Sequence, residues 1–167
     1  MNTKPNAPAE TTPPVSEPHL QRRAEIVSRI QTETGIDEAL IERLVRSFYG
    51  RVQKDDLLGP VFAARISDRE PHLQKMFAFW SSVALMSGRY HGQPMPAHLS
   101  LPVGGHHFDR WLALFETTAR EVCPPAAAER FVELSRRIAQ SLEMGIAISL
   151  GMLLAPGERL SVPQEPR

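Results

Sequence analysis

Arg89-Tyr90-His91-Gly92-Gln93-Pro94-Met95-Pro96-Ala97-His98-Leu99-Ser100-Leu101-Pro102 lies between two segments of clear helical period. Its three prolines and its glycine forbid a long helix here, so a chain of helices interrupted by one proline-bound strip is the expected architecture. His98 is held in that strip. Prolines restrict the backbone before it, and Leu99 and Leu101 follow, able to lie over something apolar. An imidazole fixed on a short element beside an apolar cavity suits metal ligation, although a lone loop histidine is more often a capping residue. The flanking segments decide between these readings.

Upstream, Ser67 and Glu70 make a capping-box pattern with Pro71 still in the first turn, so a helix starts near Asp68. His72, Met76, Phe79, Trp80, Val83 and Met86 share one face of it, read as the buried stripe with the histidine near its N-terminal end. Further back, Ile36, Leu40, Leu44, Phe48 and Val52 recur every four residues with Glu42, Arg43, Arg46 and Arg51 mostly off the stripe, as in an amphipathic helix. Tyr49 stands at its edge. Asp55, Asp56 and a Gly59-Pro60 turn end this helix, and Val61, Phe62 and Ile66 belong to a short linking segment. A short leading helix over 19–35 precedes it, carrying Leu20, Ile26, Val27 and Ile30.

Downstream, Gly104 and Gly105 lead into a helical face of Phe108, Trp111, Leu112, Phe115, Ala119 and Val122. Pro124 and Pro125 stop that helix and open the next, marked by Phe131, Leu134, Ile138, Leu142, Ile146 and Leu150. The apolar run 144–154 reads as the last buried turns of that helix, being too short to span a bilayer. No segment alternates with period two. The fold class expected is all-α, with four substantial helices around one non-helical strip.

A chain of 167 residues allows one domain with a real core. Basic and acidic residues both number 19 without a long run of one sign, which disfavours nucleic-acid binding. The single cysteine, Cys123, excludes an internal disulfide and a thiolate cluster and fits a reducing, cytoplasmic setting. Residues 1–18 hold Pro5, Pro8, Pro13, Pro14 and Pro18 with almost nothing to bury, so they read as a disordered extension without a signal-peptide core. Residues 36–154 make the main domain, and 155–167 a polar, mobile tail. Neither a signal sequence nor membrane insertion is expected.

Three polar-tipped residues sit on otherwise apolar faces: Tyr49, His72 and Trp111. Each can pack a ring and still offer one donor inside a pocket. Together with Ser47-Phe48-Tyr49-Gly50-Arg51-Val52, Leu58-Gly59-Pro60-Val61-Phe62, Phe79-Trp80, Tyr90-His91-Gly92-Gln93-Pro94, His98-Leu99, Phe108, Trp111-Leu112 and Phe115, they resemble the truncated haemoglobins, and group III among them. The resemblance covers about 36–150. Gly35 stands alone where groups I and II show paired glycines, which favours group III.

The resemblance implies a two-over-two helical sandwich around haem b, with His98 as the proximal iron ligand and Tyr49, His72 and Trp111 on the distal side. It also implies that Phe48, Phe62, Met76, Phe79 and Leu99 line the cofactor. Arg65, Lys75 and Arg89 are candidates for holding its propionates. The function implied is binding of dioxygen and related small ligands (nitric oxide, carbon monoxide, cyanide or peroxide), with redox chemistry supported by a reductase. A haem peroxidase, a nitric oxide dioxygenase and a cofactor-free helical interaction module are the alternatives, and whether the chain is an enzyme stays open. Imidazole as ligand, a carbonyl to orient it, and donors in a dry pocket are the physical requirements of such a site.

Overall fold

The structure is a computed structural model and describes residues 17–161. The expected extension therefore lies, up to residue 16, outside the described residues, as do residues 162–167. Helix α1 runs Glu17–Thr34, α2 Glu38–Val52, α3 Leu58–Arg65, α4 Arg69–Leu85, α5 Pro94–His98, α6 Gly105–Val122 and α7 Pro125–Ser149. No strand occurs among the described residues. The helices α2 and α4 pack as one pair over the pair α6 and α7, with α2 lying against α6, which is the two-over-two sandwich.

Apolar periodicity explains α2, α6 and α7. Leu40, Ile41, Leu44, Val45, Phe48 and Val52 are the buried face of α2, and Asp37 caps it by accepting from the Leu40 N–H at 2.7 Å. Phe115 and Ala119 of α6 and Phe131 of α7 are fully buried against that face. Each such aromatic contributes roughly 1.5–3 kcal/mol through the surface it removes from water. Trp111, Phe115 and Trp80 form a parallel stack, with centroids 5.3 Å and 4.8 Å apart. Phe48 meets Tyr49, Trp111 and Phe115 edge-on. These contacts fix the distance between the two helix pairs.

Several expectations are corrected. Glu17 and Pro18 belong to α1 rather than to the extension, because proline is tolerated in a first turn. The linking segment is itself the helix α3: Asp55 accepts from the Leu57 and Leu58 N–H groups, so Gly59 and Pro60 continue a capped first turn instead of making a reverse turn. The proline strip holds one helical turn, α5, because its prolines fall in the first turn, where they are tolerated. No capping box starts α4, since Glu70 is engaged by Arg46 of α2 at 2.8 and 3.1 Å.

On α4 the buried face is Leu73, Phe77, Trp80, Ser81 and Ala84. The stripe through His72, Met76, Phe79 and Val83 is only half-buried, and Met86, in the left-handed region at φ 57, is exposed. His72, Met76 and Phe79 of that stripe line a cavity, and Met76, Phe79 and Val83 also pack against the edge of the core. The run 144–154 is buried only in part: Ile146 and Ala147 lie in the core, but α7 stops at Ser149, and Met144, Ile148, Leu150 and Leu153 are exposed. Beyond it Leu160 is buried, while the other described residues of the tail, 155–159 and 161, are exposed. Among the described residues no helix is long and apolar enough to cross a membrane.

Asp55 joins three elements, since its other carboxylate oxygen accepts from Arg110 of α6 at 2.6 Å. The Leu58 N–H, aided by Arg110 and Leu57 and opposed by burial, holds this carboxyl below its ordinary value. A depressed carboxyl stabilises fully above its ordinary value and loses that contribution as pH falls through the lowered one. Asp55→Ala should lower the unfolding free energy by about 1–2 kcal/mol in denaturant titrations at neutral pH. The deficit should shrink below about pH 4.

Candidate functional site

A cavity of about 860 Å³ opens between the helix pairs. Tyr49 comes to it from α2, Phe62 from α3, and His72, Met76 and Phe79 from α4. His98 of α5 and Trp111 of α6 also line it. The helices α2, α4, α5 and α6 thus deliver the ring-bearing residues expected from the sequence into one space.

Two expected lining residues are placed elsewhere. Phe48 is buried in the core behind Tyr49 and Trp111, and Leu99 is outside the wall with 37% of its surface exposed. Phe48 points to the core because it continues the main stripe of α2, one position away from Tyr49. Leu99 follows the end of α5, where the chain turns away. Sequence reasoning did not single out Tyr90, Val103, His107, Phe108, Ile138, Ala139 and Leu142 as wall residues. Phe108, Ile138 and Leu142 lay on recognised stripes, so their helical periods carried a usable signal.

The mount of His98 is short. Pro94 and Pro96 stand in the first turn of α5, where the missing N–H groups leave no helix hydrogen bond unmade. Four residues on, the His98 Nδ1 lies 2.7 Å from the Pro94 carbonyl. A carbonyl only accepts, so Nδ1 carries the proton of the neutral ring and Nε2 keeps its lone pair. The helix α5 rests on α7, where Met95 approaches Gly145 so closely that a Cβ there would overlap its thioether.

Opposite, the His72 Nε2 is buried with no hydrogen-bond partner. Burial, then Lys75 and His98, lower the pKa of its imidazole and favour the neutral form. Tyr49 meets His72 edge-on at 5.2 Å, and burial alone raises its phenol, which stays protonated. Among the described residues the wall also contains Arg65, Lys75 and Arg89 but neither Asp nor Glu. In a chain of balanced charge, that set favours an anionic occupant. Two of these cations are already engaged, Arg89 with Glu38 at 2.7 Å and Arg65 with Ser100.

Residues 31–143 match the family model of the bacterial-like globins. The chain belongs to that family. A group 3 truncated hemoglobin of Campylobacter jejuni is 42% identical over 86 residues, covering 48% of this chain and 68% of the relative. A crystal structure of a group III truncated hemoglobin from Campylobacter jejuni superposes with a TM-score of 0.60 at 32% identity, covering 64% of this globin and 88% of that chain. These likenesses place the globin with the group III truncated haemoglobins.

Membership implies a haem, and the residues present fit one. Among the described residues no three His, Cys, Asp or Glu side chains gather to hold a bare metal ion. One imidazole with a free Nε2 would suffice to hold an iron whose other ligands a porphyrin supplies. The cations of the wall suit its two carboxylates, and His72 has an orphaned polar atom facing the space. Gly145→Val should push Met95 aside and lift α5. The expected result is faster amide exchange at Leu99, whose N–H bonds to the Met95 carbonyl, with helix content by circular dichroism unchanged.

Proposed function

We propose that this globin holds haem b through the His98 Nε2 and binds dioxygen and other diatomic ligands on the side of Tyr49, His72 and Trp111. The observation that carries this reading is the His98–Pro94 hydrogen bond, which sets the tautomer and orientation a proximal ligand needs. A non-covalent haem is favoured because the sole cysteine, Cys123, ends α6 in the core and is absent from the cavity wall. The haem supplies an iron able to bind small ligands.

The protein's own residues supply the rest. Tyr49 stays protonated and offers an O–H, and Trp111 offers an N–H on the same side of the space. A small occupant that gains negative charge on binding is stabilised by such donors, more so where water is excluded. His72, neutral and unpaired, adds a third polar contact or yields space by rotating. Arg65, Lys75 and Arg89 favour the propionates electrostatically. The family match and the cavity argue against a cofactor-free interaction module. The same polar side supports redox chemistry with nitric oxide or peroxide, for which turnover with a competent reductase is the direct assay.

The purified protein should take up haem and show a strong Soret band. His98→Ala should lose stable haem while keeping its helix content, and a normal ferrous spectrum in that variant would overturn the proximal assignment. Tyr49→Phe and Trp111→Phe should each speed dioxygen dissociation by about tenfold or more, measured by stopped-flow displacement. Unchanged rates in both would remove the proposed donors.

A further inference from the structure

Residues 151–161 lie outside the 31–143 matched by the globin family model, yet the segment is clasped onto the domain. Glu143 of α7 is a charged residue with only 9% of its surface exposed. Every hydrogen bond the structure gives its carboxylate comes from this segment: from the Arg159 Nε at 3.0 and 3.3 Å to its two oxygens, the Arg159 Nη2 at 3.1 Å and the Leu160 N–H at 2.9 Å. A buried carboxylate needs such donors, so the pairing is a built feature and not a resting tail.

The same two residues grip the start of α6. The Gly105 N–H donates to the Leu160 carbonyl at 2.7 Å, and the Arg159 Nη2 donates to the Gly105 carbonyl at 2.9 Å. The Arg159 Nη1 reaches Asp109, one turn further on, at 3.0 Å. Glycine is required at 105, because a Cβ there would stand 2.9 Å from the Arg159 Cβ and 3.1 Å from the Glu143 Oε1. The two turns of α6 that follow carry Phe108 and Trp111 into the cavity wall. Leu160 packs in one cluster with Val103, Phe108 and Ala139, all three of them wall residues.

The geometry points to the 151–161 segment as a positioning strap: Arg159 and Leu160, anchored on Glu143, hold the first turns of α6 and so set the placement of Trp111 and the tightness of the haem pocket. The inference concerns that same pocket and rests on the haem reading for its ligand-side consequences, while the clasp itself is independent of it. Arg159 is a positioning residue, acting through α6 and touching no wall of the cavity. It adds a control on haem retention that lies outside the family core.

The test uses the full chain with Arg159→Ala, Arg159→Lys, Gly105→Ala and the Gly105→Ala/Arg159→Ala double variant. Haem transfer to excess apomyoglobin should be about tenfold faster in Arg159→Ala and Gly105→Ala. The carbon monoxide stretching band, which senses Trp111, should shift, and Arg159→Lys should recover part of both effects. Because one clasp is broken either way, the double variant should be no worse than the worse single variant. Wild-type transfer rates and an unmoved band in both single variants, or fully additive effects in the double, would overturn the strap. In the haem-free proteins, amide exchange at Gly105 and Leu160 should rise about tenfold in Arg159→Ala with the exchange of α2 unchanged. Unaltered exchange there overturns the clasp, whereas failure of the wild type to take up haem overturns the functional reading alone.

Discussion

A space of about 860 Å³ has to be kept open inside this domain, and most of the architecture answers that constraint. Side chains around a void lose the dispersion contacts that close packing would give them, so a cavity tends to collapse unless stiff elements hold its walls apart. Here the stiffness is aromatic. The parallel stack of Trp111, Phe115 and Trp80, with Phe48 edge-on against it, sets the spacing of the helix pairs on the core side of the space. The His72 Nε2 on the wall is a buried polar atom to which the protein offers no partner of its own. Binding and stability in this globin are therefore linked: whatever fills the space favours the folded chain by mass action.

The shortest helix carries the most specific demand. Five residues cannot stabilise themselves as a helix, so α5 depends on its prolines, which reduce the entropy lost on ordering, and on its seat over Gly145 of α7. The hydrogen bond from the His98 Nδ1 to the Pro94 carbonyl closes the turn through a side chain. One contact thus ends the element, orients the ring and selects which nitrogen is free. The prolines that break the longer helical pattern are what make so short a mount possible.

How much of this was legible in the sequence depended on the range of the interactions concerned. The stripes of α2, α6 and α7 are local patterns read directly as buried faces, and Tyr49, His72, Trp111 and His98 converge on one cavity as anticipated. The face of α4 is legible only in part, with Trp80 in the core, because a cavity wall and a core are both apolar and periodicity does not distinguish them. The helices α3 and α5 are too short for a period to show, and what stabilises them is a cap or a contact, Asp55 in one case and Met95 on Gly145 in the other. The strap was invisible for a different reason. Its Arg159 and Leu160 sit in a polar, proline-rich stretch, and only their pairing with Glu143, 16 and 17 positions earlier, makes them structural.

Cys123 gives the chain a built-in clock. It closes α6 where that helix meets α7, is 8% exposed, and burial pushes its thiol up to about 11. Since the thiolate is the reactive form, the sulfur is silent toward alkylating and disulfide reagents while the junction stays shut. With no second thiol to react, modification of the intact chain counts openings of that one junction. The breathing of the helix pair that frames the pocket can thus be timed chemically, with no label added and without reference to the colour of any bound group.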